Sequence, residues 1–135
     1  MTELVVDAKT ENLEQVLDYV NGKLKAAGCP AKIQVQIDIA VEEIFVNIVH
    51  YAYQGAAGKA RVRIQEEPAA VEIIFKDEGI PYNPLKKKDP DVTLSAGDRP
   101  IGGLGIYMVK KSMDHVSYDY KDGQNIFRIQ KCWTV

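Results

Sequence analysis

Glu43-Ile44-Phe45-Val46-Asn47 sits inside a longer run, from about residue 31 to residue 53, in which Ile33, Ile37, Val41, Ile44 and Ile48 recur at helical spacing. Such a stripe predicts an amphipathic helix packed on a sheet, with Gly55 and Gly58 breaking the pattern beyond it. Glu43, Asn47 and His50 stand at i, i+4 and i+7, so they are expected to project from one face, beside the apolar stripe. Asparagine is a poor helix-interior residue, and one flanked by Val46, Ile48 and Val49 suggests that its amide is kept for a local purpose. A carboxylate and an amide oxygen one turn apart can accept a proton from a hydroxyl and ligate Mg2+; they can equally form a polar stripe that meets water.

Upstream of this helix, Leu4-Val5-Val6 reads as a short edge strand, and Thr10 offers an N-cap oxygen to a helix carrying Leu13, Val16, Leu17, Val20 and Leu24. Gly28 and Pro30 end it. Downstream, Val62 and Ile64, then Val71, Ile73 and Phe75, alternate as half-buried strands joined at Glu67-Pro68. Helical spacing returns from Gly105 to Asp114 through Ile106, Val109 and Met113. Val116, Tyr118 and Tyr120 alternate as a further strand, and Asp122-Gly123 predicts a hairpin into a last strand at about Asn125 to Cys132. The expected fold is a two-layer α/β (α+β) sandwich, a mixed, largely antiparallel sheet covered on one face by three helices.

Two more islands interrupt the apolar pattern. Asp77-Glu78-Gly79-Ile80-Pro81 follows the end of a strand, where an aspartate can accept from an exocyclic amine such as that of adenine and Gly79 permits close backbone approach to a planar ligand. A strand-to-loop turn closed by Asp and Gly has the same signature. Gly102-Gly103-Leu104-Gly105 opens a helix and sets bare amides and the positive end of its dipole where an anion can sit. No Gly-Lys-Ser/Thr follows, which excludes a Walker loop. Between these islands runs a Pro- and Gly-containing loop, with a lid expected at residues 85–101.

A chain of 135 residues with 46% hydrophobic and 27% charged residues fits one domain. The net charge of -2 argues against a protein that grips nucleic acid or an anionic membrane. Two distant cysteines, Cys29 and Cys132, indicate neither a zinc site nor a disulfide framework and fit a reducing cytoplasm. No stretch approaches the roughly 18 apolar residues of a membrane span, and the N-terminus does not read as a secretory signal.

The three islands together resemble the Bergerat-type (GHKL) ATP-binding domain of the histidine-kinase-like ATPase superfamily and, within it, the bacterial anti-sigma factor serine/threonine kinases. Glu43 and Asn47 are similar to its N box, Asp77-Glu78-Gly79-Ile80-Pro81-Tyr82-Asn83-Pro84 to its G1 box, and Pro100 to Lys110 to its G2 box. Pro81 is the sharpest marker of the subfamily.

That resemblance implies a single ATP-binding domain over residues 1–135, with Glu43 as general base, Asn47 as Mg2+ ligand and Asp77 as the carboxylate that reads adenine. Gly79 and Pro81 would belong to the base pocket, and Gly102, Gly103, Leu104 and Gly105 to the phosphate cradle. His50 stands where relatives often carry Lys or Arg, a pH-dependent phosphate contact, and Arg128 where a small hydroxyl residue is expected near the adenine. The implied activity is transfer of the ATP γ-phosphate to a serine or threonine of an anti-anti-sigma factor, in competition with a sigma factor, by a cytoplasmic homodimer. Two alternatives stay open: an ATP-gated binding module without meaningful catalysis, and a detached histidine-kinase catalytic domain.

Overall fold

Three α-helices and five strands form among residues 3–54, 56–86 and 104–134, which the computed structural model describes. In chain order they are β1 (Leu4–Asp7), α1 (Leu13–Ala26), α2 (Ala31–Asn47), β2 (Lys59–Glu67), β3 (Ala70–Asp77), α3 (Leu104–Ser112), β4 (His115–Lys121) and β5 (Gln124–Cys132). No helix among the described residues is long and apolar enough to cross a membrane.

Helix α1 buries Val16, Val20 and Leu24 along one stripe, as its spacing predicts. Its start differs from expectation. Thr10 opens a short 3-10 turn instead of capping the helix, and Asn12, at the helix start, donates through Nδ2 to the Asp7 carbonyl at 2.9 Å. That bond ties the helix entry to the end of β1. The other end is a Schellman motif: Cys29 N–H reaches Leu24 O at 3.0 Å, Gly28 N–H reaches Lys25 O at 3.1 Å, and Gly28 takes φ +75°, where a side chain is strained.

Helix α2 buries Ile37, Ala40, Val41, Ile44 and Phe45, then changes pitch. Ile48–Ala52 forms a π turn, with Tyr53 N–H bonded to Ile48 O at 3.3 Å. The single long α-helix expected to residue 53 therefore becomes seventeen α residues and one wider turn.

All four strand pairings are antiparallel, in the order β1-β2-β3-β5-β4. The connection containing α3 brings β4 back parallel to β3, but the Asp122-Gly123 hairpin slots β5 between them, so no parallel pair forms. Asp122 and Gly123 both take positive φ, 55° and 76°, as a tight hairpin turn requires. The core lies between sheet and helices, where Phe45, Ile37, Phe75, Ile73 and Ile129 are fully buried. Each contributes about 1.5–3 kcal/mol of apolar burial, enough to fix which sheet face meets the helices. Strand alternation then sends Asp77 and Asn125 to that same inner face, at the end of the sheet where α2 changes pitch.

Candidate functional site

Asp77 and Asn125 are the buried polar side chains of the described residues, each 4% exposed. They face each other as register partners on β3 and β5. Asn125 Nδ2 donates to Asp77 Oδ1 and to Ile80 O, each at 2.8 Å, while Asn125 Oδ1 accepts the Tyr82 N–H at 3.0 Å and the Tyr118 hydroxyl. The amide thus uses two donors and two lone pairs, its whole capacity. Gly79 N–H adds a second bond to Asp77 Oδ1 at 2.9 Å. Burial pushes the Asp77 carboxyl up from its ordinary pKa, against the hydrogen bonds from Asn125 and Gly79, which favour the charged form.

These residues border a small, partly open cavity between the C-terminal end of α2 and the sheet. Ile44, Ile48 and Phe127 give it apolar walls, Asp77, Asn125 and Asn47 polar ones, and Tyr82, Pro84 and Tyr118 complete the rim. A planar heteroaromatic base suits such a lining: apolar contact for its faces, fixed polar groups for its edge. Tyr82 stacks on Tyr51 of the π turn, with ring centroids 4.9 Å apart and planes 13° from parallel, joining the segment after β3 to the end of α2. Asn47 Nδ2 is buried against this cavity without a partner among the described residues, an unmet donor that a ligand oxygen would satisfy.

Glu43 lies one turn earlier on α2, half-buried. Its carboxylate nests against Gly105 so closely that a Cβ at residue 105 would take its place. Burial first, and then the neighbouring Glu42 charge, raise the Glu43 pKa above the ordinary glutamate value. The structure therefore gathers Asn47 and Asp77 at one cavity, with Glu43 beside Asn47 and Gly105 beside Glu43.

Other sequence expectations meet different surroundings. Gly79 does not line the cavity: the space of its missing side chain is filled by the Ala52 backbone, and Ile80 N–H bonds Ala52 O at 2.8 Å. The close backbone approach foreseen there is made to the π turn. His50 is exposed and does not line the cavity, because the π turn rotates it out of the α-helical register shared by Glu43 and Asn47. Pro81 is exposed and borders an adjoining groove with Asn83 and Tyr120, on the other side of Tyr82 and Tyr118. Gly102, Gly103 and residues 87–101 of the expected lid lie outside the described residues, as does the Leu104 side chain; Leu104 opens α3.

Arg128 is exposed, paired with Ile74 on the outer face of the sheet, three residues from the position beside Asp77. Asn125 occupies that position. Sequence reasoning passed over it, although a polar, poor strand former just before Ile126 and Phe127 carried the same signal that singled out Asn47.

Comparison with known proteins agrees with this geometry. The model of the histidine kinase-like ATPase domain matches residues 6–131. The chain is 27% identical over 133 residues to the serine-protein kinase RsbW of Bacillus pumilus, covering 93% of this chain and 82% of that protein. It is also 27% identical over 128 residues to the RsbW of Listeria monocytogenes, covering 91% and 82%. Identity to the serine/threonine-protein kinase BtrW of Bordetella bronchiseptica is 25% over 96 residues, covering 70% and 68%. With a buried aspartate at the end of β3, an asparagine on α2 facing it across a cavity, and a family match spanning nearly the whole chain, this protein belongs to the histidine kinase-like ATPase domain family.

Proposed function

We propose that this chain is an ATP-dependent protein-serine/threonine kinase that controls a sigma factor, transferring phosphate to a serine or threonine of an anti-anti-sigma protein. The observation that carries the reading is the placement of Asn47 and Asp77 on opposite walls of one cavity, with the Glu43 carboxylate one helical turn from Asn47. Relatives named as serine-protein kinases support the reaction class.

The residues present fit a nucleotide. Asp77 offers an acceptor to an exocyclic amine, the apolar walls suit a base, and the unmet Asn47 amide suits a phosphate oxygen or, turned about, Mg2+. Among the described residues no cluster of three or more His, Cys, Asp or Glu stands ready for a metal, so Asn47 would hold Mg2+ together with oxygens of the nucleotide. Bound Mg-ATP supplies the activated phosphoryl group and the charge that offsets its transfer.

Glu43 acts as the base. Its raised pKa gives it more appetite for the acceptor hydroxyl's proton than an exposed glutamate has, and the space left by Gly105 lets the carboxylate lie at the α2–α3 contact. Proton removal and positioning are then the work of this chain's own side chains. We extend the proposal to a cytoplasmic homodimer.

Phosphate transfer from γ-labelled ATP to candidate acceptors encoded by neighbouring genes tests this. Transfer that vanishes in Glu43→Ala while nucleotide binding persists supports the proposal. Full transfer in that variant removes Glu43 from the role, and ATP-dependent partner capture with no transfer by the unaltered protein would favour a binding module.

A further inference from the structure

Asn125 lies in a strand, where its side chain has poor intrinsic preference, yet every hydrogen-bonding position of its amide is taken. Two of its partners fix its orientation. The Tyr82 N–H can only donate and the Ile80 carbonyl can only accept, so Oδ1 must face Tyr82 and Nδ2 must face Ile80. Tyr118 reinforces this from the neighbouring strand β4, two residues along from the register partner Tyr120, by donating its hydroxyl to Oδ1. With the amide set, Nδ2 also donates to Asp77 Oδ1, where Gly79 N–H converges.

Asp77 Oδ1 is therefore saturated by donors, and Oδ2 accepts no hydrogen bond from the described residues. A carboxylate held this way is an acceptor only at its remaining oxygen. It attracts the amino group of a 6-aminopurine and repels the carbonyl of a 6-oxopurine, whose lone pairs face it. Remove the Nδ2 donor, and the Asp77 carboxyl is freer to rotate or to carry a proton, and so to donate to a 6-oxo group instead.

Resting on the kinase reading above, we propose that Asn125, oriented by Tyr118, is a positioning residue that holds Asp77 as a pure acceptor and thereby makes the cavity choose 6-aminopurine over 6-oxopurine nucleotides. The same amide clamps the backbone at Ile80 and Tyr82, so base choice and the shape of the rim depend on one side chain. Tyr118 contributes a wall of the cavity and the hydrogen bond that sets the amide.

The test is the ratio of dissociation constants for ADP and inosine diphosphate, measured by calorimetry on the full chain, the unaltered protein preferring ADP. In Asn125→Ala the preference should fall about tenfold or more, as loss of a hydrogen bond to a charged group implies, with affinity for inosine diphosphate changing less than affinity for ADP. A purely structural role would weaken both nucleotides together, and an unchanged ratio in a folded Asn125→Ala would overturn the proposal. Tyr118→Phe, which deletes one hydroxyl from a half-buried ring, should lose part of the preference. It decides the matter if Asn125→Ala does not fold, and an unchanged ratio there would then count against the proposal. Failure of the unaltered protein to bind either nucleotide removes the nucleotide reading itself, which is a different result from binding without discrimination.

Discussion

Glu43 and Gly105 interlock across the contact between α2 and α3: a methyl group at residue 105 would occupy the space of the Glu43 carboxylate. The obstructing atoms are the tip of a half-buried, flexible side chain, which can swing aside. Alanine is also a better helix former than glycine. Gly105→Ala should therefore leave the thermal midpoint near that of the parent protein and still bind nucleotide. Phosphate transfer, however, should fall by about tenfold or more, each decade corresponding to roughly 1.4 kcal/mol of lost transition-state stabilisation. Parallel melting and transfer assays check this; unchanged transfer would show that the carboxylate's seat against α3 is unimportant.

Gly79→Ala is the contrasting case. Its added Cβ meets the carbonyl oxygen, carbonyl carbon and Cβ of Ala52, and that backbone is held by the Ile80 N–H bond of 2.8 Å. Nothing flexible is available to yield. Overpacking of this kind costs about 1–3 kcal/mol, so the urea midpoint should drop measurably, with weaker nucleotide binding following from a displaced rim.

How much of this was legible in the sequence differs element by element. Apolar spacing located all three helices and the alternation in β2 and β3, because burial against a single core imposes those periods. Asp122-Gly123 announced its hairpin for a local steric reason. The π turn at Ile48–Ala52 was not legible, since one extra residue per turn leaves Ile48, Val49 and Ala52 buried and the pattern superficially intact. For that reason His50 does not keep the helical register it was expected to share with Glu43 and Asn47. Gly79 and Gly105 were readable as positions needing no side chain, but not as positions where protein atoms claim the space; that depends on which element packs opposite. Asn125 was missed because its partners lie on β3, β4 and the segment after β3, contacts that only the sheet order brings together.

Glu43→Gln should separate catalysis from stability. The folded protein raises the Glu43 pKa, chiefly by burial, so the protonated form is the one the fold tolerates best. Its contribution to stability is fully present below the pKa of the unfolded chain and is lost as pH rises through the higher folded value. The neutral glutamine should accordingly melt at or above the parent temperature at neutral pH, with the difference closing in acid. Transfer by the parent protein should rise with pH through that same raised pKa, as a base sheds its proton, and Glu43→Gln should lack both the activity and this acid limb.

Asp77→Asn tests the buried carboxylate in the same two currents. Oδ1 of an asparagine can keep the bonds from Asn125 Nδ2 and Gly79 N–H, so the local network survives the change. What disappears is a charge in a site 4% exposed, where desolvation is the leading cause of the raised pKa. Because the folded pKa exceeds the unfolded one, the parent protein loses stability as pH climbs through the folded value, and the variant should show a flatter profile of denaturation midpoint against pH. Nucleotide binding should move the opposite way. The atom replacing Oδ2 is now a donor, which confronts an exocyclic amine with another donor, and discrimination against such mismatches is steep because a buried polar group is left unpaired. A variant as stable as the parent, or more so, that no longer holds ADP would assign this carboxylate to recognition; retained ADP affinity would return it to a merely structural place at the end of β3.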